Sequence, residues 1–221
     1  MAFNQVNINF NQLLQANKLC LFLIFTLFVS CSSAKFPYSY YKQMVPNNTC
    51  HNKIFPNFDF IVFNTNIEIL NKNLSGLLLL KKMPDSTIRF VFTNEFGNSY
   101  FDFQFTQNQF KIISIIDYLD KKPVINQLKT DLGLLIGYQN SNPIKIFNNN
   151  SKLYHTYEYN HFKNVYITDT LCEQLLSLEC FNKNKKQTEI KCFGTKNNFP
   201  DSLFITHMNY HFNLSLKQIV Q

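Results

Sequence analysis

The sequence contains no tryptophan, only 5 glycines and a single arginine. So little glycine leaves almost no material for a glycine-rich phosphate-binding loop or a dinucleotide fingerprint. The short motifs of serine hydrolases and of zinc metalloproteases are also missing from the sequence,. No stretch reaches the roughly 18 consecutive apolar residues that a standard transmembrane helix needs,. The sequence therefore predicts a protein that is not an enzyme and needs no cofactor.

Phenylalanine and lysine dominate what is present. The chain has 221 residues, of which 45% are hydrophobic and 24 are Phe, and this predicts one globular domain,. Its net charge of +7 is carried almost wholly by lysine. Asparagine is even more abundant than lysine, as AT-rich coding would produce, so we do not interpret the charge as nucleic-acid binding. Lys121, Lys122 and the lysines of residues 183–186 are expected in solvated loops; the alternative is attraction to anionic lipid headgroups.

The first thirty residues are typical of a targeting segment rather than of a fold. Lys18 precedes an apolar run over residues 19–29, which suits a signal peptide and is too short to span a bilayer,. Residues 27–31 look like a bacterial lipobox, whose cysteine carries lipid. We expect residues 1–30 to be a lipoprotein signal peptide and Cys31 to be the lipid anchor. An ordinary secretory signal and an uncleaved anchor remain the alternatives.

Four further cysteines follow: Cys50, Cys172, Cys180 and Cys192. An exported chain with four cysteines predicts up to two disulfides. We favour Cys50–Cys172 together with Cys180–Cys192, the second across a hairpin rich in Lys and Asn, with the other pairings left open. A zinc site is the alternative, although no Cys-x-x-Cys pair is present.

Apolar runs divided by turn residues predict a series of strands. Residues 101–106 alternate phenylalanine with polar residues, which indicates one buried and one exposed face,. Between Pro123 and Gly137 the apolar spacing becomes helical. We expect an α+β domain over residues 31–221, an antiparallel meander with one inserted helix. The predicted strands cover residues 58–63, 74–82, 87–94, 99–106, 110–116, 144–147, 153–159, 165–168, 189–193 and 203–216.

A strand-turn-strand stretch resembles the LolB-type outer-membrane lipoprotein receptors. In that family a strand beginning with Arg precedes a Thr-Asn-x-apolar-Gly turn and an alternating apolar and acidic strand. The matching positions here are Arg89, residues 93–97 and residues 101–103. Glu95 stands where the family usually has proline. The helix predicted within residues 123–137 matches the family's inserted helix in position.

The resemblance implies a half-open antiparallel β-barrel of about eleven strands with a small helical lid. The protein would be a monomer that is lipid-anchored on the periplasmic face of the outer membrane. It would accept acylated lipoproteins from a LolA-like periplasmic carrier and insert them into the inner leaflet of that membrane. The alternatives are a lipid-anchored envelope scaffold with a filled barrel and a secreted binding protein without an anchor.

The resemblance also implies site residues. Arg89 would hold a lid carbonyl or an ester oxygen at the mouth, although a surface charge is the plainer interpretation. Met83, in a turn flanked by lysines, would enter the membrane unless the turn is an ordinary one.

His207 and His211 are expected to be core or surface histidines rather than metal ligands. The acyl-chain cavity would be lined by apolar residues that could equally form a plain core: Leu77, Leu79, Ile88, Phe90, Phe92, Phe101, Phe103, Phe105, Leu128, Leu132 and Leu135.

Overall fold

The computed structural model describes residues 35–46, 50, 54–55, 58–107, 109–140, 143–159, 161–195 and 199–219. The predicted signal peptide (1–30) and the predicted anchor Cys31 lie outside these residues. Within the described part of the chain, no helix is both long enough and apolar enough to cross a membrane.

In the part of the chain that the structure describes, thirteen strands form one antiparallel sheet in the order β1-β7-β8-β9-β10-β11-β12-β13-β2-β3-β4-β5-β6. A 3-10 helix (Pro37–Tyr40) precedes the first strand, and the helix α1 (Lys122–Leu135) lies between β6 and β7. The strands are β1 (Lys42–Met44), β2 (Phe60–Ile69), β3 (Lys72–Lys82), β4 (Ile88–Thr93), β5 (Ser99–Phe105), β6 (Phe110–Ile115), β7 (Lys145–Asn148), β8 (Lys152–Tyr159), β9 (Phe162–Asp169), β10 (Leu175–Asn182), β11 (Lys185–Phe193), β12 (Ser202–His207) and β13 (Phe212–Gln218).

Two contacts of α1 require the sheet to curl around it. Tyr166 in β9 donates its hydroxyl to the carbonyl oxygen of Leu134, at 2.7 Å. On the other flank, a Cβ added to Gly133 would lie 3.7 Å from the ring of Phe105 in β5. In a flat sheet, β9 and β5 would be about 38 Å apart, eight places at ~4.8 Å each,. Because a helix is only about 10–12 Å wide, the sheet must form a trough that holds α1. The edge strands β1 and β6 do not pair with each other, so the barrel stays open.

The antiparallel meander with one inserted helix is confirmed, but the strand count is not. The structure has thirteen strands instead of about eleven. Two of them, β1 and β10, were not predicted. β10 was missed because both of its faces are largely covered, which hides the alternation that marks a half-exposed strand,.

The ends of α1 are those that its sequence predicts. Pro123 lies in the first turn, where its missing N–H costs nothing,. Gly137 follows the last turn with φ +64°, a conformation that disfavours side chains,. A Cβ at this position would also approach the ring of Phe55 to within 2.4 Å. Glycine therefore both ends the helix and makes room for that ring.

The other face of the sheet is covered only in part. Across β7 to β10 it is packed by the segment before β1, through Phe36 and Tyr38. The Tyr38 ring lies 4.4 Å from the ring of Tyr154, and its hydroxyl donates a very short hydrogen bond to Glu179. Burial and the nearby Glu179 carboxylate raise the pKa of Tyr38. Residues 36–44 are thus part of the fold and not a free tether.

Candidate functional site

The trough is filled in this structure. Most of the residues predicted to line an acyl-chain cavity are instead packed in one core cluster. The rings of Phe101 and Phe103 stack at 4.5 Å, and the ring of Phe92 lies 5.6 Å from that of Phe101. Leu128 and Leu132 of α1 are fully buried in the same cluster. The predicted open cavity is therefore corrected to a packed interior, because the helix occupies the space. The buried members of the predicted set are Phe90, Phe92, Phe101, Phe103, Phe105, Leu128, Leu132 and Leu135.

Leu77 and Leu79 were assigned to the wrong face of β3. Leu77 is 38% exposed and Leu79 is half-buried, whereas their neighbours Leu78 and Leu80 are fully buried. Because side chains alternate along a strand, an error of one residue moves the whole set to the other face. The run of four leucines contains no polar residue that would have fixed the register from the sequence.

Cavities remain where α1 meets the sheet and its turns. A cavity of about 410 Å³ lies at the first turns of α1, bordered by Val124, Gln127, Leu70, Tyr210 and Phe212. A second, of about 310 Å³, runs along one side of the helix. A third, of about 150 Å³, lies at its last residues. Two of these volumes reach the lower end of the range for small-molecule sites, about 300–1,000 Å³.

The second cavity is lined by Lys129, Tyr138, Tyr159, Phe162 and Cys180 among others. The third is lined by Ile88 and Leu135, together with Phe58 and Phe199. Of the predicted cavity residues, these two are the ones that border any of the three cavities.

A buried acid-base pair joins α1 to the sheet. Asp131, with no exposed surface, lies on the helix, and its carboxylate is 2.9 Å and 3.1 Å from Nε2 of His207 in β12. Nδ1 of His207 contacts the carbonyl oxygen of Phe212. Since a carbonyl cannot donate, Nδ1 carries a hydrogen and Nε2 faces the carboxyl group. One further proton is therefore shared between Asp131 and His207.

The pKa values of this pair follow from burial and from the contact itself. Burial raises the pKa of Asp131, and the hydrogen bond to His207 opposes that rise without cancelling it. Burial works against protonation of His207, but Asp131 and the Phe212 carbonyl together raise the pKa of the imidazole. Both ring nitrogens of His207 have partners within the fold, the Phe212 carbonyl and the Asp131 carboxylate. Of the two expectations, a core or a surface histidine, the structure places His207 in the core.

Further hydrogen bonds attach the helix to other strands. The Gln127 amide donates to Asp131, at 2.9 Å, and to the hydroxyl of Thr188 in β11, at 3.2 Å. At its second-last residue, the helix accepts the Tyr166 hydroxyl at the carbonyl of Leu134. The helix is thus held to β9, β11 and β12 by a few specific polar contacts, which we call the latch: Gln127, Asp131 and Leu134 on the helix, and Tyr166, Thr188 and His207 on the sheet.

Arg89 does not lie at the lid. Its guanidinium forms a two-point contact with the carboxylate of Asp102 in β5, with one distance of 2.8 Å and a second, shorter contact. The neighbouring Phe90 points into the core, so Arg89 lies on the opposite face of the sheet. Arg89 and Asp102 are on adjacent strands, a proximity that only the pairing of β4 with β5 creates.

Met83 is a poor candidate for membrane insertion, because it is half-buried in the turn between β3 and β4. Phe96, in the turn between β4 and β5, is 89% exposed. Asn94 fixes that turn by accepting hydrogen bonds from the backbone of Phe96 and Asn98, at 3.0 Å and 2.9 Å. An apolar residue among turn-forming residues was the sequence signal that should have drawn attention to it.

Phe96 shares one end of the sheet with the 410 Å³ cavity. The turn that follows β4 lies at the same end as the turn between β2 and β3, since successive strands are antiparallel. That end also carries the exposed Leu70, Met208 and Tyr210. Met83 is at the opposite end.

One predicted disulfide is present and the other is not. Cys50 and Cys172 are bonded, with their Cα atoms 5.5 Å apart. Cys180 and Cys192 are free and buried. Cys180 pairs with Thr188 on β11, four residues from Cys192. At about 3.3 Å per residue this is some 13 Å of strand, well beyond the reach of a disulfide. Burial raises the pKa of Cys180 to about 12, so little of this thiol is in the reactive thiolate form at neutral pH,.

The fold and site define an open antiparallel half-barrel with a helix latched into its trough. No protein-family model matches the chain, and no curated protein matches it with significance. The chain is similar to a DUF1329 family protein from Desulfovibrio piger, with 8% identity and a TM-score of 0.46 over 80% of this chain and 92% of that one. It is also similar to a putative outer membrane lipoprotein-sorting protein domain from Vibrio parahaemolyticus. That second match has 9% identity and a TM-score of 0.40 over 76% of this chain and 87% of that one.

Both TM-scores are below 0.5, so neither match carries an argument about function. Neither neighbour is described as a LolB-type receptor.

Proposed function

We propose that the protein is a lipid-anchored receptor that takes up the acyl chains of lipoproteins in the trough now occupied by α1. The observation that carries the proposal is the way the helix is held. The apolar face of α1 packs against the phenylalanine side chains of the sheet, and few polar contacts hold the helix there. Cavities of about 410 Å³ and 310 Å³ lie beside the helix. A helix held in this way can act as a lid, with its leucines standing where acyl chains would lie.

The energetics favour such an exchange. At ~0.8 kcal/mol per CH₂ group, exposing one chain of about sixteen carbons to water costs on the order of 12 kcal/mol. The phenylalanine rows would replace water around the chain without selecting a particular lipid. When α1 leaves the trough, Leu128 and Leu132 lose their contacts with these phenylalanines, and this loss partly offsets the gain from burying the acyl chain. Binding would then be strong enough to extract cargo and weak enough to release it.

The cargo would enter at the end of the sheet that carries the 410 Å³ cavity. Leu70 and Tyr210 border this cavity and are themselves 54% and 62% exposed. Phe96 projects from the same end, and Lys121 and Lys183 are exposed there. Exposed apolar side chains next to lysines are suited to contact with an anionic bilayer surface. This end, rather than the turn of Met83, would face the inner leaflet of the outer membrane, with a LolA-like carrier delivering the lipoprotein to it.

A lipid-anchored scaffold is the second candidate, and the dense interior favours it. Phe90, Phe92, Phe101 and Phe103 have no exposed surface, so the chain's own side chains fill the trough without any guest. A scaffold would need only its surface, and α1 would never leave the sheet.

Binding of a triacylated lipopeptide separates the two candidates. We expect the full chain to bind this probe, and Leu70→Glu to weaken binding by about tenfold or more, which corresponds to ~1.4 kcal/mol. Leu171→Glu is the matched control, because Leu171 is a 68% exposed leucine at the opposite end of the sheet. It should leave the affinity within about twofold of wild type, as surface substitutions usually change little. If the wild-type chain takes up no probe, the receptor proposal is wrong and the scaffold is favoured.

A second experiment tests the anchor. Radiolabelled palmitate should enter the wild-type protein, and the label should disappear in Cys31→Ser and after inhibition of lipoprotein signal peptidase. A protein that carries no label in wild-type cells would refute the lipoprotein assignment, whatever the outcome of the lipopeptide titration. Depleting the protein should then leave lipoproteins in the periplasm or the inner membrane.

A further inference from the structure

A second site lies at the opposite end of the sheet from Phe96, around the disulfide. Sγ of Cys50, Sγ of Cys172 and a ring nitrogen of His155 all lie within 4.8 Å of one another. Nε2 of His155 is 4.0 Å from Sγ of Cys172. All three residues are buried. They come from three separate parts of the chain: the segment before β2, strand β8, and the turn between β9 and β10.

We propose that Cys50, Cys172 and His155 form a binding site for a thiophilic metal ion of the zinc class when the disulfide is reduced. Two cysteine sulfurs and one imidazole are a ligand set that zinc accepts, with a fourth position left for water or another oxygen. This inference does not depend on the proposed lipid-binding function.

The distances require little rearrangement. With Zn–S near 2.3 Å and Zn–N near 2.0–2.1 Å, two ligand atoms on a tetrahedral ion lie about 3.6–3.8 Å apart. The His155–Cys172 distance of 4.0 Å is already close to that value. The Cys50 and Cys172 sulfurs must instead move apart, and breaking their bond allows this. The Thr168 hydroxyl, 3.2 Å from Nε2 of His155 and 3.7 Å from Sγ of Cys172, lies where a fourth ligand or its hydrogen-bonding partner would stand.

The charge balance suits a buried site. A divalent ion with two thiolates and one neutral imidazole has no net charge, so the desolvation penalty for burial is small. His155 is predisposed to be neutral, since burial lowers its pKa to about 4. Coordination through Nε2 requires its remaining ring proton to be on Nδ1.

The chemistry proceeds in two balanced steps. Two molecules of a small thiol reduce the Cys50–Cys172 bond, which yields two cysteine thiols and the disulfide of the small thiol. Zinc then binds as both cysteine thiols release their protons to solvent. The two states exclude each other, because the sulfurs of a disulfide are not thiolate ligands. The same residues would therefore form a covalent bond in an oxidising compartment and a metal site under reducing conditions.

The test uses the full chain with Cys20, Cys31, Cys180 and Cys192 replaced by alanine, so that only the proposed pair remains. After reduction, zinc should bind with one ion per chain in competition with a chromogenic chelator, and cobalt should give a thiolate-to-metal charge-transfer band. The oxidised chain should show neither. His155→Phe should weaken zinc binding by more than about tenfold, since even outer-shell partners of a metal commonly contribute that much.

His161→Phe is the matched control, because His161 is an exposed histidine in the turn after β8. It should leave zinc binding unchanged. Zinc should also raise the thermal midpoint of the reduced chain, and His155→Phe should abolish this increase. Equal affinity in the His155→Phe and His161→Phe variants would overturn the proposal, as would a reduced chain that binds no zinc or that zinc fails to stabilise.

Discussion

Asp131→Asn should reverse the sign of the contribution that His207 makes to the pH dependence of stability, while the contribution of His155 is common to the wild type and the variant,. In the wild type, the raised pKa of His207 means that the folded chain holds its proton more tightly than the unfolded chain does,. The stabilisation from the pair should be fully present below the unfolded histidine pKa of about 6.5 and should decline as the pH rises through the folded value.

In Asp131→Asn the carboxylate is lost and burial dominates. The Asn amide can donate to Nε2 of a neutral His207 while Nδ1 still donates to Phe212, so the hydrogen bonds are retained. Burial without a carboxylate should lower the pKa of His207. The variant should then lose stability as the pH falls below about 6.5, which is the opposite direction. Near neutral pH it should be less stable by about 1 kcal/mol, the difference between a charged and a neutral hydrogen bond.

Asp131→Ala gives the upper limit. It removes the acceptor of His207 Nε2 and one of the two acceptors of the Gln127 amide, and removing one partner of a buried pair costs about 3–5 kcal/mol. Urea unfolding from pH 5.5 to pH 9 would measure all three proteins. Parallel pH profiles for the wild type and Asp131→Asn would refute the shared-proton description of the latch. The reaction of Cys180 with a thiol reagent, measured in a Cys192→Ala background, reports opening of the helix. If the ~1 kcal/mol of stability is lost by local opening, Asp131→Asn should make this reaction about fivefold faster.

Three further predictions concern single positions. Gly76→Ala should destabilise the fold by several kcal/mol in urea unfolding, because its Cβ would lie 1.8 Å from the carbonyl oxygen of Thr93,; a wild-type midpoint would contradict that close approach. Wild-type stability should fall by about 3 kcal/mol between pH 6.5 and pH 4, since the pKa of His155 is lowered to about 4,, and a fall of equal size in His155→Phe would show another cause. Phe96→Ser should leave stability within about 0.5 kcal/mol and weaken sedimentation with anionic vesicles; unchanged sedimentation would remove Phe96 from the membrane-facing end.

The residues that the sequence placed correctly are those whose signals are local. Pro123 and Gly137 mark the ends of α1 because their backbone preferences act within one turn. Most of the strands were predicted from local signals too, because the spacing of apolar residues, such as alternating phenylalanines, indicates a buried face within a single strand. The Cys50–Cys172 pairing was chosen among several open alternatives, and only the packing of distant segments selected it.

The errors arose where partners are far apart in sequence. The four-leucine run of β3 has no polar residue to set its register, so neighbouring strands decided which leucines face inward. Asp102 lies beside Arg89 only because β4 pairs with β5. Asp131 lies beside His207 only because α1 docks on the sheet. Composition and periodicity by themselves predicted an antiparallel sheet with one amphipathic helix inserted in it, as the described residues show. Only the tertiary structure decided whether that helix covers an empty cavity or fills it. The curvature of the sheet and the volume of the side chains of both helix and sheet set the space that remains between them.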